Sequence, residues 1–356
     1  MKIIITSPSL DPSENVSGVS SVTQFIISNN FSVEYVHFKL GKKDNEKGGL
    51  QRIAKVAKSF LLWMSVLSHY PDAIIHYNFP LSKSSILRDP LFMFWARLCK
   101  RKMIIHLHGG DFLETKPTSY YLNFILQKVF SFSIPFIVLS EREKNIILDK
   151  YHCPNIQVLP NCVELEKAQQ FKKLESKNDK LVVGYLGRIA ETKGMDYLLK
   201  AFKILKQNNI PFVLKMAGKE ETKDQYLPLF KKELSESFMY EGVVSGDIKE
   251  KFLSDLDVFV LPSYFEGLPT SLLESMSYAV VPLVTKVGSV EEVVRDKSNG
   301  LFIKIKDTDS IIQQFTLLHN NRDKLNLLSK AARETIFSNY SPINYVQELN
   351  KIYSMA

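Results

Sequence analysis

Residues 263–275 read SYFEGLPTSLLES, with two carboxylates, Glu266 and Glu274, eight positions apart. Between them lie a glycine, a proline and two small hydroxyl residues. The apolar run VFVLPS at 258–263 precedes them and reads as a strand, followed by a loop and a helix from about Pro269. Proline suits that first position, where its missing N–H would be unpaired anyway. The first amides of the helix, near Thr270 and Ser271, favour an anion. Acids that merely answered the helix dipole would lie in the first turn; Glu266 is early for that role and Glu274 late. A carboxylate in the position of Glu274 can accept hydrogen bonds from a ribose diol, as acids do in dinucleotide sites. Glu266, in the loop, can bind sugar hydroxyls.

A second constellation follows the run Leu181–Leu186, which ends in GRIAETKG at 187–194. Gly187 lets a ligand approach the backbone. Arg188 and Lys193 then bring two cations to one loop ahead of a helix starting near Gly194, a combination suited to a diphosphate but shared with any exposed charged loop. A third lies at HLHGGDF, where His108, Gly109, Gly110 and Asp111 follow the run Met103–Leu107. A histidine there can serve as acid, base or hydrogen-bond donor, and the glycine pair permits close approach. The loop NVSGVSSV at 15–22 opens a helix without G-x-G-x-x-G, so a dinucleotide fingerprint is missing. Asp255-Leu256-Asp257 spells D-x-D but precedes a strand, the wrong end of a sheet for a ligand, and Asp307 and Asp309 read as helix caps. No grouping has metal-ligand spacing, so no metal is expected.

The elements that must position these residues come in two series. Lys2–Thr6, Ser32–His37, Ala73–Tyr77, Met103–Leu107, Phe136–Leu139 and Ile156–Leu159 read as strands, with helical patterns between most of them. After the polar stretch 164–180, a linker by composition, Leu181–Leu186, Phe212–Ala217, Met239–Val243, Val258–Leu261, Val280–Val284 and Leu301–Ile303 form the second series. Alternation of this kind predicts α/β architecture with parallel sheets, and ligands outside the carboxyl ends of the strands. The expected organisation is a Rossmann-like domain over 1–165, a second over 166–340, and a final helical segment, 341–356, that can cross back to the first.

A chain of 356 residues fits two such domains. MKIIITSPSL reads as a buried first strand rather than a signal peptide, and no apolar run approaches the roughly 20 residues that span a bilayer. Cys99, Cys153 and Cys162 are odd in number without metal spacing, which predicts a reduced cytoplasmic protein. Residues 39–128 hold fifteen Lys/Arg against six Asp/Glu, within a net charge of +8 for the chain. Such a patch is either a solvated face or an attractor for nucleic acid, anionic lipid or phosphorylated substrates. No nucleic-acid-binding module accompanies it. Residues 52–67 are amphipathic, with Ile53, Val56, Ala57, Phe60, Leu61, Trp63, Met64 and Leu67 assigned to one face and Lys55 and Lys58 opposite. A core-facing helix and an interfacial one both fit this pattern. With Lys100-Arg101-Lys102 it suggests peripheral attachment to the inner leaflet of the cytoplasmic membrane.

Together these parts resemble the retaining glycosyltransferases of family four, over nearly the whole chain and most specifically in its second half. The E-x7-E element is Glu266 and Glu274, and the paired loop is Gly187, Arg188, Lys193 and Gly194. Ala217-Gly218, GVVS at 242–245 and Asn161 in LPNCVE also fit the pattern. The resemblance implies the GT-B fold, two facing Rossmann-like domains with an interdomain cleft. It implies a nucleotide-diphosphate-sugar donor, with uridine and guanosine both compatible and uridine preferred, and a saccharide acceptor, lipid-diphosphate-linked, in cell-surface polysaccharide synthesis. No cofactor is implied. By resemblance, Arg188 and Lys193 hold the diphosphate, Glu274 the ribose, and Glu266 the donor sugar, with the amides of Gly267, Leu268 and Thr270 aiding them. His108 lies near the transferred sugar, Gly18 near phosphate and acceptor, and Val244 walls the base. Ser17-Gly18 stands where the family usually has Gly-Gly, and Pro269 offers no N–H. A sugar-nucleotide epimerase of similar shape and a two-domain sugar-binding protein are the competing readings; the pairing of E-x7-E with the GR…KG loop argues against the first, and the basic diphosphate-type loop against the second.

Overall fold

The computed structural model describes residues 1–12, 14–15, 17–41, 50–173 and 179–356. The chain forms two compact units, Met1–Asn161 with Ile343–Ala356, and Cys162–Pro342. Lys42, Lys43 and Lys47 of the basic stretch and residues 174–178 of the polar stretch lie outside the described residues.

The first unit is built on β1 (Lys2–Ser7), β2 (Glu34–Lys39), β3 (Ile74–Phe79), β4 (Met103–Leu107), β5 (Phe136–Val138) and β6 (Ile156–Val158), all parallel in the order β2-β1-β3-β4-β5-β6. Its helices are α1 (Gly18–Asn29), α2 (Leu50–His69), α3 (Lys83–Leu98), α4 (Asp111–Glu114), α5 (Tyr120–Phe130) and α6 (Glu141–Lys150). The apolar runs are central strands buried on both faces, as in β3 and β4, which explains why they do not alternate with polar residues. Strand order reverses between β1 and β3, so the loops after them open at a switch point.

The second unit repeats the plan. β7 (Leu181–Leu186), β8 (Phe212–Ala217), β9 (Phe238–Tyr240), β10 (Val258–Leu261), β11 (Val281–Thr285) and β12 (Leu301–Ile303) run parallel in the order β12-β11-β10-β7-β8-β9. Helices α7 (Glu166–Gln170), α8 (Met195–Gln207), α9 (Leu227–Leu234), α10 (Gly246–Ser254), α11 (Thr270–Ser277), α12 (Val290–Val293), α13 (Thr308–Asn320) and α14 (Arg322–Asn339) accompany them. In α8, Met195, Leu198, Ala201, Phe202 and Leu205 are buried at helical spacing, and Phe202 meets Phe212 of β8. The switch point here lies between β7 and β10, the strands that carry GRIAETKG and SYFEGLP at their carboxyl ends.

The polar stretch 164–180 is not wholly extended: it contains α7, with Ala168 buried. The last helix, α15 (Pro342–Ser354), belongs with the first sheet, where the Tyr353 hydroxyl lies 2.7 Å from His76 Nδ1. The single apolar face read for residues 52–67 divides in two. Trp63 and Leu67 are buried and Val56 and Phe60 pack on the core, whereas Ile53, Ala57, Leu61 and Leu62 face outward. The sequence pattern merged two faces because apolar residues occupy most of the helix circumference. Arg101 also departs from its reading as a surface cation. It is buried and its guanidinium donates to the carbonyls of Leu67 at 2.6 Å, Ala73 at 3.2 Å and Tyr70, clamping the turn between α2 and β3. Lys100 and Lys102 beside it are exposed.

Candidate active site

In the second unit, the loop after β7 is folded by backbone bonds before any ligand is considered. Gly187 N–H donates to Ala217 O at 3.0 Å, and Ile189 N–H to Lys219 O at 2.9 Å. The buried Tyr185 hydroxyl donates to Arg188 O at 2.5 Å, leaving the guanidinium exposed and 3.6 Å from Glu221. A short 3-10 turn, Glu191–Lys193, leads to Gly194 at φ 74°, where a Cβ would sit 2.1 Å from Pro262 O. Glycine is required there on both counts. The loop after β10 is tied to the same turn, since Tyr264 N–H donates to Thr192 O at 2.9 Å.

Lys193 and Glu266 meet between these two loops. Lys193 Nζ donates to Glu266 Oε1 at 2.6 Å, with the carboxylate only 12% exposed. Glu266 is fixed from behind by Gly288, whose Cβ would lie 2.1 Å from the Glu266 carbonyl, and Ser289 N–H holds Gly267 O at 3.0 Å. Leu268 is buried, and Pro269 is the residue before the first helical position, so α11 starts at Thr270, one residue later than its sequence suggests. Glu274, in its second turn, accepts from Lys249 Nζ of α10 at 2.7 Å. That carboxylate holds the Lys249 ammonium above its usual range. Val244 is buried in the loop that precedes α10, and Gly242 O of that loop accepts from Gly218 N–H at 2.7 Å. Lys249 carries no signal in the sequence, because its contact is tertiary.

Asp255 and Asp257 have structural partners. Asp255 pairs with Lys215 at 2.9 Å and Asp257 accepts from Val182 N–H at 2.9 Å, at the amino end of the sheet. Asp307 caps α13 through Ser310 N–H at 2.8 Å.

In the first unit, Gly18 is the first residue of α1, capped by Ser17, which accepts from Ser20 N–H at 3.2 Å. A Cβ on Gly18 would meet nothing within 4 Å, so the fold does not require glycine there. His108 follows β4, with Nε2 2.7 Å from Asn78 Oδ1. The Asn78 amide is oriented by its other contacts, Nδ2 donating to Thr6 O at 2.8 Å and to Thr23 Oγ1 at 2.9 Å. A carbonyl only accepts, so Oδ1 must face His108, and His108 carries its proton on Nε2. Desolvation pulls the His108 pKa down to about 3, so the ring is neutral at physiological pH and Nδ1 carries a lone pair rather than a proton. Behind it lie His106, with ring centroids 4.2 Å apart, and His76, both buried. Asn78 was legible only as an odd polar residue in the run IIHYNFP.

Two parallel six-stranded sheets, one in each unit, with basic and acidic loops meeting at the second switch point, are the architecture of two Rossmann-like domains. Residues 166–335, nearly the whole second unit, match the family described as glycosyl transferases group 1. A UDP-Gal:alpha-D-GlcNAc-diphosphoundecaprenol alpha-1,3-galactosyltransferase of Escherichia coli is 29% identical over 319 residues, 85% of this chain and 80% of that one. The capsular polysaccharide biosynthesis glycosyltransferase CapM of Staphylococcus aureus is 26% identical over 276 residues, 73% of this chain and 72% of its own length. In structure, a sucrose-phosphate synthase from Thermosynechococcus elongatus superposes with a TM-score of 0.78 at 16% identity, over 99% of this chain and 98% of that one. Residues 166–335 thus belong to the group 1 glycosyltransferases, and the chain is a retaining glycosyltransferase with the GT-B fold.

Proposed function

We propose that the protein transfers a hexosyl group, with retention, from a uridine-diphosphate sugar to a lipid-diphosphate-linked saccharide at the inner face of the cytoplasmic membrane, as a step in building a cell-surface polysaccharide. The observation that carries this reading is the 2.6 Å contact of Lys193 with Glu266, which joins the GR…KG and E-x7-E loops at the second switch point. The uridine and the lipid diphosphate are supported by the substrates named for the Escherichia coli relative.

Breaking the anomeric C–O bond passes through an oxocarbenium-like state and leaves negative charge on the diphosphate. Lys193, Arg188 and the first amides of α11 are the donors placed to stabilise that charge. A bound diphosphate competes with Glu266 for Lys193, and the released carboxylate then accepts hydrogen bonds from the donor sugar. Glu274, steadied by Lys249 on Oε1, keeps its second oxygen for the ribose diol. Neutral His108 offers an acceptor toward the sugar. The acceptor hydroxyl attacks the face the diphosphate leaves and gives its proton to the departing phosphate oxygen, which gives retention without a covalent intermediate.

The test is nucleotide release from a panel of uridine and guanosine sugars, with and without an undecaprenyl-diphosphate saccharide. Acceptor-dependent release of UDP together with a lengthened lipid-linked glycan is the expected result. Release of a nucleotide sugar isomer without transfer would instead reveal an epimerase.

A further inference from the structure

The outer surface of the first unit is unusual in one layer. Helix α3 is apolar on both sides: Ile86, Met93 and Ala96 are buried in the core, while Leu87, Leu91, Phe94 and Leu98 form an outward stripe at helical spacing. Leu98 is 73% exposed. A helix that is apolar on two opposite sides is normally covered on both. Helix α3 lies between α2 and α5: Phe60 of α2 packs edge-on against Phe92 and Trp95, and Phe94 meets Phe132 just beyond α5. Both neighbours extend the stripe, α2 with Ile53, Leu61 and Leu62, and α5 with Tyr120, Tyr121 and Phe124, all exposed. Scattered apolar residues are ordinary on a protein surface, but a contiguous patch across three helices marks an interaction face.

The charge on these helices identifies the partner. Their one acid, Asp89, is buried against Arg88 at 2.5 Å. Around the apolar stripe stand Lys58 on α2, Lys83 and Arg97 on α3 and Lys128 on α5, with Arg97 stacked over Phe132 and Lys128 over Phe124. Long basic side chains bordering an apolar face keep their stems with the hydrocarbon and their heads at the phosphate level, and exposed tyrosines suit the same depth. Among the described residues no helix is long and apolar enough to cross a membrane. We propose that the outer face of α2, α3 and α5 docks on an anionic lipid surface. Apolar insertion and attraction to lipid phosphates are the two signals that stable peripheral binding needs. This gives the membrane placement proposed above a surface made of named residues, and its test needs neither donor nor acceptor.

The experiment is flotation of the full chain with equimolar phosphatidylglycerol–phosphatidylcholine vesicles and with pure phosphatidylcholine. The expected result is enrichment on the anionic vesicles at low salt, falling as salt screens the attraction. The double variant Leu91→Asp/Leu98→Asp should reduce the floated fraction by about tenfold, with an unchanged thermal shift on adding UDP. If that variant does not fold, Leu98→Asp alone, at the most exposed stripe position, carries the comparison. No flotation, equal flotation on neutral vesicles, or wild-type flotation of the folded variant overturns the proposal. A concentration-dependent dimer dispersed by the same variant, without flotation, assigns the face to a second copy instead.

Discussion

Lys193 and Glu266 satisfy each other in this structure, which gives their substitutions opposite effects on nucleotide binding. In the proposed role of Lys193, Lys193→Ala removes a donor to the leaving diphosphate and should lower kcat/KM by roughly 10²–10³-fold, as loss of an oxyanion donor does. Glu266→Gln releases the lysine from a charged competitor. It should tighten free UDP binding by about threefold to tenfold, the scale of one ordinary hydrogen bond, while transfer falls. Isothermal titration with UDP beside a transfer assay reads both; weaker UDP binding by Glu266→Gln would remove Lys193 from the diphosphate site. Glu274 behaves differently because its partner holds it in place. Lys249→Met should weaken UDP binding by about tenfold, and combining it with Glu274→Ala should cost little more than Glu274→Ala alone, the signature of two residues acting as one unit. Fully additive losses would separate Lys249 from the ribose site.

At the scale of elements, the two glycine-bearing loops differ in what the fold asks of them. Gly194 joins the GR…KG loop to α8 at φ 74°, against Pro262 O. Gly194→Ala should cost at least about 1–3 kcal/mol in urea unfolding from the backbone alone, and should displace Lys193 with it. Gly18→Ala, with open space around its Cβ, should leave stability within about 0.5 kcal/mol, so any loss of transfer there reports on a ligand. A comparable stability loss at both positions would contradict this distinction. The strands were legible in sequence because parallel sheets buried on both faces require unbroken apolar runs, and β4, β7, β8, β10 and β12 begin and end where those runs do. The pairs at the site were legible only in part. Glu266 and Lys193 stand in recognisable loops, but Lys249 and Asn78 act through partners 25 and 30 positions away, which no local pattern encodes. The faces of α2 were misread for a related reason: burial is decided by what packs on a helix, and both of its apolar sides looked equally fit for a core.

For the whole molecule, the chain closes on itself within the first unit. Helix α15 returns from the second unit and places Tyr353 in the first core, against His76 and 3.2 Å from Tyr35. His76 in turn lies 3.1 Å from His106, and the two with His108 form a run of neutral rings inside that unit. No corresponding group is found among the described residues of the second unit, whose one histidine, His319, is only half-buried and lies near Asp179. This makes acid stability unequal between the units. Desolvation lowers the His76 pKa from 6.5 to about 3 in the folded protein, so between those values the unfolded chain binds a proton the folded one does not. The stabilisation is therefore complete above pH 6.5 and is lost progressively as pH falls toward about 3. By pH 5 the linkage amounts to about 2 kcal/mol for His76 alone, with His106 acting in the same direction. Hydrogen exchange followed from pH 7 to pH 5 should show the amides of β1, β3, β4 and α15 losing protection while those of β7 and β10 keep it. His76→Phe, which cannot take up a proton, should lessen the pH dependence of the first unit, with His106 and His108 supplying what remains, even where the lost Tyr353 contact lowers its stability at pH 7. Parallel loss of protection in both sheets would mean that the buried histidines are not what makes the protein acid-labile.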